Sequence, residues 1–312
     1  MINRILIRTK ILQILYAYFM CEDKTPAAVE KEMFLSLDKA YVLYFHLFAL
    51  PLHITKFCAD KIELRKNKFR PTEAELRPNL RFIENRFIKQ LSANLELKDV
   101  IKKNKLSWVN HFEVIKELTD LIVNSDFYKE YMTAKTSDYE KDKEIWRKIF
   151  RSIIAPNKAL ENALEEQSIF WTNDAEIAIS FIVKTIKNFK AENDIFQQFS
   201  PQYNDIIADK NFAEKLLATV INRNSEITQL IDNHTKNWEL DRIAFIDILI
   251  MKMAIAEIIA FPTIPINVSL NEYIELAKEY STEKSSNFVN GVLDSVVNQL
   301  KKDNKLIKVK QF

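Results

Sequence analysis

The chain has 312 residues, 47% hydrophobic and 28% charged, with a formal net charge of +2, eight prolines and a single glycine. Average usage near 7% would put roughly 22 glycines in a chain of this length. Phosphate-cradling loops, dinucleotide fingerprints and nucleophile elbows need several glycines at fixed spacing, and tight hairpins use them for positive φ. A P-loop enzyme, a Rossmann enzyme and an all-β sandwich are disfavoured, and a mostly helical protein turning at Asn, Asp, Ser and Pro is left.

The charge is uneven. Residues 1–20 carry Arg4, Arg8 and Lys10 with no acid, and residues 301–312 carry Lys301, Lys302, Lys305, Lys308 and Lys310 against Asp303. Basic ends on a slightly acidic body point to a polyanion partner; solubilising tails are the plainer explanation. Cys21 and Cys58 fit no metal spacing and read as buried thiols in a reducing compartment. The apolar run that ends at Cys21 is interrupted by Gln13 and crowded by Tyr16, Tyr18, Phe19 and Met20 where a signal peptide wants small residues. It reads as a cytosolic amphipathic helix. Ile243–Phe261 is long enough to span a membrane but contains Asp247, Lys252 and Glu257, and Tyr41–Leu50 is too short and cut by Pro51.

In chain order, the spacing of Ile7, Ile11, Leu15 and Tyr18 predicts a first helix over about Asn3–Met20. Thr25-Pro26 opens the next, because Pro is tolerated in a first turn. Residues 27–63 form one or two helices broken at Pro51, and Arg65–Pro78 reads as a loop. Residues 79–155 give helices that include Phe112–Asn124 and Glu140–Ile154. Ala155-Pro156-Asn157 is a break, and helices follow near 157–167 and 173–189. After Ser200-Pro201, one helix is predicted from Phe212 to about Thr235. Asp241–Ala260 is apolar almost all round and should be a central, buried helix. Ser269-Leu270-Asn271-Glu272 reads as a capping box that starts a helix to about Tyr280. Ser281–Ser286 is a turn, and a last helix runs from Asn287 to about Lys301. No strand is predicted.

The one glycine, Gly291, falls inside that last helix, where it costs about 1 kcal/mol relative to Ala. Its retention points to close approach of another helix or, second, of a ligand.

Asn-Glu-Tyr-Ile-Glu-Leu-Ala-Lys-Glu-Tyr (271–280) followed by Ser-Asn-Phe-Val-Asn-Gly-Val-Leu-Asp (286–294) resembles the C-terminal signature of the NusB family of bacterial transcription factors. Trp238–Arg242 with Asp247 and the run to Ala256-Glu257 resembles the preceding helix, and Phe212–Val220 the one before it. Arg4-x-x-x-Arg8 and Leu12-Gln-x-Leu-Tyr16 resemble the family's basic first helix, although Ile5, Leu6 and Ile7 thin its usual arginine cluster. The resemblance covers about residues 1–35 and 205–300; residues 40–205 have no counterpart in the compact family pattern.

The resemblance implies an all-α, NusB-like fold of two packed bundles with a large inserted helical region. The implied boundaries are 1–39 for the basic helix and start of the fold, 40–205 for the insertion, 206–301 for the C-terminal bundle and 302–312 for a basic tail. It implies a binding activity with no catalysis, cofactor or metal: a cytoplasmic antitermination factor that binds the boxA element of nascent ribosomal RNA leaders with the ribosomal protein NusE. The complex, with other Nus factors, joins elongating RNA polymerase.

Single-stranded RNA is held by basic side chains and stacking aromatics. Arg4 and Arg8 share a face near a helix N-terminus, where their charge adds to free amide donors in favouring phosphate. Lys10 points elsewhere and ranks lower. Tyr16 lies off the main apolar stripe, Tyr280 and Phe288 flank the last turn, and Asn290 carries donor and acceptor. For Tyr280 and Phe288, core packing competes as an explanation. Carried over as RNA contacts are Arg4, Arg8, Lys10, Tyr16, Tyr280, Phe288 and Asn290; for a basic protein partner the candidates are Glu257 and the exposed Asn271, Glu272 and Glu275, of which Glu257 and Glu275 are kept because the capping box accounts for Glu272.

Catalytic readings are poor. His46, His53, His111 and His234 have no paired-ligand spacing or adjacent nucleophile signature. NusB-like domains also occur fused to RNA cytosine methyltransferases, which need a glycine-bearing cofactor domain that this sequence lacks. The competing non-enzymatic reading is a helical interaction scaffold that has lost RNA binding.

Overall fold

A computed structural model of the chain describes residues 1–21, 24–235 and 243–306, apart from the side chain of Glu283. It is all-α. No strand forms among the described residues, where Ile2 and Tyr203 make one isolated parallel bridge. The chain divides into two compact units. One comprises Asp38–Gln202 with Met1, the other Ile2–Leu37 with the described residues from Tyr203 onward.

In the Asp38–Gln202 unit the central element is α2 (Pro26–Lys66), whose first turns belong to the other unit. The sequence predicts a break at Pro51, but α2 runs through it. An interior proline costs about 3 kcal/mol. Leu47, Phe48, Leu50 and Ile54 around it are fully buried, and each such side chain contributes about 1.5–3 kcal/mol, so packing outweighs the lost hydrogen bond. Uninterrupted, α2 is long and apolar enough to cross a membrane by length and composition, contrary to the sequence expectation. Yet 67% of its apolar window is buried within the protein, as in the core helix of a globular unit.

Tyr44, Phe48, Phe189 and Phe199 form an aromatic cluster on α2. Tyr44 Oη meets Thr185 Oγ1 at 2.7 Å. His46, also on α2, stacks on Trp108 (4.2 Å between centroids) and Trp171 (5.2 Å). Around α2 lie α3 (Glu73–Leu76), α4 (Arg86–Ala93), α5 (Leu95–Asn104), α6 (Phe112–Asn124), α7 (Asp126–Thr133), α8 (Tyr139–Ile149, continued by a π-helical turn to Ile154), α9 (Lys158–Gln167) and α10 (Ala175–Asn188). The predicted loop after Arg65 holds α3, started by a complete capping box between Thr72 and Glu75.

The other unit contains α1 (Arg4–Met20), α11 (Ile206–Asn222), α12 (Asn224–His234), α13 (Phe245–Ala260), α14 (Ile266–Tyr280) and α15 (Glu283–Lys302). α13 is buried all round from Leu249 to Ile258 and packs on α1, α11, α12, α14 and α15. A helix apolar on every side has no solvent face to offer and becomes the centre. The single helix predicted over 212–235 is two, divided at Arg223 (φ −105°, ψ 18°) between two asparagines, which are weak helix formers. α15 begins inside the predicted turn, with the Thr282 hydroxyl accepting from the Ser285 amide.

The expected close packing at Gly291 is overturned. Gly291 is exposed, and a Cβ built there meets no heavy atom of the described residues within 4 Å. Cys58 is buried, whereas Cys21 is exposed at the end of α1, where the helix leaves the core.

Candidate nucleic-acid interface

All of the candidates carried over from the sequence lie in the unit built on α13. Arg8 departs most from its predicted role. It is 3% exposed and points inward to α13. Its Nε donates to Glu257 Oε2 at 2.7 Å and its Nη2 to Glu257 Oε1 at 2.8 Å, while Nη1 reaches Glu272 Oε2 at 2.9 Å. Glu257 is fully buried and also accepts from Ser269 Oγ (2.7 Å) and Tyr273 Oη (2.9 Å). Burial alone would lower the Arg8 pKa, but the bonds and charge of Glu257, with Glu272 nearby, leave it raised. Burial, then the charge of Glu257, pushes the Tyr273 phenol well above its ordinary value.

These contacts correct four expectations. Arg8 is not an RNA contact, because its charge and donors are spent on two carboxylates. Glu257 is not a partner-facing acid, because α13 has no outer face. Glu272 is neither free nor part of a capping box. The helix starts earlier, at Ile266, so Ser269 lies within α14, is buried, and bonds to Glu257.

Lys10 is a fifth correction. It is buried, and its Nζ donates to Gln13 Oε1 at 3.3 Å, three residues along the same helix. Gln13 in turn donates to Tyr280 Oη at 3.2 Å. This Lys10–Gln13–Tyr280 chain joins α1 to the end of α14. Gln13 was passed over in the sequence; its one signal is a polar residue breaking an apolar run.

Arg4 is exposed, sits over the Phe212 ring at 5.1 Å and has no ion-pair partner among the described residues. The helix start beside it is partly satisfied, since Asn3 Oδ1 accepts from the Leu6 amide at 2.9 Å. Tyr16 is 44% exposed and packs its edge on Phe245 at 5.6 Å. Tyr280, Phe288 and Asn290 are half-buried. Phe288 and Asn290 are two positions apart on α15 and so point in different directions.

The structure thus joins Gln13 to Tyr280, while Tyr16, about one turn further along α1, packs on Phe245 of α13. It places Arg4 three turns away along α1. Glu275 is exposed and paired with Lys278 at 2.6 Å. Lys252 is another residue missed as a contact: buried in α13, it donates to Asn224 at 2.7 Å and lies 5.2 Å from the Phe19 ring, and burial lowers its pKa. Trp238–Arg242, Lys308 and Lys310 lie outside the described residues.

Comparison with known proteins places the chain in a family. Residues 176–298 match the sequence model of the NusB family. The match opens within α10, in the Asp38–Gln202 unit, and leaves α1 outside it. Three relatives carry the name transcription antitermination protein NusB. That of Natranaerobius thermophilus is 39% identical over 123 residues, covering 33% of this chain and 88% of its own length. That of Finegoldia magna is 36% identical over 120 residues, covering 38% of this chain and 88% of its own length. That of Chloroherpeton thalassium is 47% identical over 100 residues, covering 31% of this chain; this chain spans only about half (47%) of that relative. No solved structure matches. With nearly the whole of two relatives covered at well over 30% identity, the chain belongs to the NusB family.

Proposed function

We propose that this protein is a transcription antitermination factor that binds single-stranded leader RNA of the boxA type together with NusE and acts in the cytoplasm on elongating RNA polymerase, with other Nus factors, by binding and not by catalysis. The observation that carries this reading is the 39% identity across 88% of an antitermination protein NusB. The residues proposed to touch RNA are Arg4, Tyr16, Tyr280, Phe288 and Asn290, with Gln13 added. Exposed or half-buried aromatics beside hydrogen-bonding groups suit unstacked bases. Glu275 is the acid left for a basic protein partner. Residues 1–39 and 206–301 are proposed as the NusB-like fold and 40–205 as an insertion within it.

The test is a gel shift with a boxA RNA, with and without NusE, over a range of salt. Binding strengthened by NusE is expected, and no shift in either case overturns the proposal. One observation favours a second reading, an interaction scaffold without RNA binding: two of the three cations on α1 are buried. Partners that survive ribonuclease and exclude NusE in a pull-down would support it.

A further inference from the structure

The Asp38–Gln202 unit carries a feature that the reading above does not use. From the last two residues of α2 towards α3, the stretch Arg65-Lys66-Asn67-Lys68-Phe69-Arg70-Pro71 holds four cations and no acid. It is tied to α2 by backbone bonds and to α3 by one side chain. The Asn67 amide donates to the Glu63 carbonyl at 3.1 Å, the Lys68 amide to the Arg65 carbonyl at 3.4 Å, and Lys68 Nζ reaches Glu75 Oε1, inside the Thr72 capping box, at 2.5 Å. The Phe69 ring is left 95% exposed. The Arg70 guanidinium lies 5.7 Å from its centroid. Arg65, Lys66 and Arg70 have no ion-pair partner among the described residues. Arg65 and Lys66 do complement the helix C-terminus, but that accounts for neither Arg70 nor a phenylalanine held in water.

We infer that the Arg65–Pro71 turn is a second binding element for single-stranded RNA, with Arg65, Lys66 and Arg70 on phosphates and Phe69 stacked on a base. A turn that presents an aromatic face among unpaired cations offers the two interactions that sequence-tolerant single-strand binders combine. A membrane surface would want a continuous apolar face. Here the neighbouring exposed apolar groups, Leu64 and Leu76, lie on two separate helices.

The experiment uses the full chain and fluorescence anisotropy with a labelled oligouridine of about 20 nucleotides, a boxA RNA and phosphatidylserine-containing vesicles. The triple variant Arg65→Ala, Lys66→Ala, Arg70→Ala should keep its circular dichroism and melting curve. Its log-affinity for oligouridine should lose about 2 from the slope against log salt, near 0.7 per cation. Phe69→Ala should weaken binding about tenfold and Phe69→Trp should restore it. Unchanged oligouridine affinity and slope in the triple variant, or a dependence of vesicle binding alone on the turn, overturns the inference. The boxA reading fails separately: it falls if the unaltered chain binds no boxA RNA with or without NusE, whatever the turn variants do to oligouridine binding.

Discussion

Arg8 and Glu257, 249 positions apart, form a bidentate pair inside the unit built on α13, with N–O distances of 2.7 and 2.8 Å. The pair fastens α1 to α13, and through Ser269, Glu272 and Tyr273 it fastens both to α14. Removing Glu257 leaves the buried Arg8 guanidinium with Glu272 as the one carboxylate still bonded to it. Glu257→Ala should therefore cost about 3–5 kcal/mol of stability, and replacing both residues by apolar ones of similar volume should recover most of it. Urea denaturation of the two variants checks this; equal losses would show that the cost lies in packing and not in the under-paired guanidinium.

Arg4 is the exposed cation of α1. Arg4→Ala should lower the slope of log affinity against log salt by about 0.7 for single-stranded RNA while leaving the melting temperature unchanged. A salt titration with boxA RNA reads both.

Tyr16 stands half in solvent with its edge on Phe245. Tyr16→Ala should weaken RNA binding by about 1–3 kcal/mol if it stacks on one base, and Tyr16→Phe should retain most of the affinity. Isothermal titration with boxA RNA separates this from a general loss of fold, which would also appear as a lower melting temperature.

Gly291 lies in a helix interior with open space where a Cβ would go. Gly291→Ala should therefore stabilise the protein by about 0.5–1 kcal/mol. A ligand contact at Gly291 predicts that the same variant binds boxA RNA more weakly, and unchanged binding would remove that role. Thermal melting and anisotropy on one sample decide both parts.

His46 is fully buried between Trp108 and Trp171. Burial pulls its pKa from 6.5 down to about 4. Because the folded value is the lower one, the unfolded chain takes up the proton first as pH falls. Stability is complete above pH 6.5 and is lost progressively towards pH 4, by about 3 kcal/mol in all. His46→Phe, which keeps the stacking, should flatten that part of the stability–pH curve measured by urea denaturation.

The single glycine already pointed to a helical class, and α6 appears at Phe112–Asn124 as predicted. α13 could be placed at the centre because an apolar surface on every side leaves one way to bury it. The 271–294 string carried the family, because its ordered residues sit at fixed offsets that are local in the chain.

Local pattern could not say which charges stay in water. Arg4 and Arg8 share one helix face in the sequence, yet one faces solvent and the other Glu257, and the deciding carboxylate is 249 positions away. The same holds for Ser269 and Glu272, whose spacing imitates a cap but whose partners are Glu257 and Arg8. Periodicity along one helix orients a side chain only relative to its neighbours on that helix. Whether it meets water, an acid or a ring is decided when distant helices pack, since the free energy of a charge depends on what surrounds it in three dimensions.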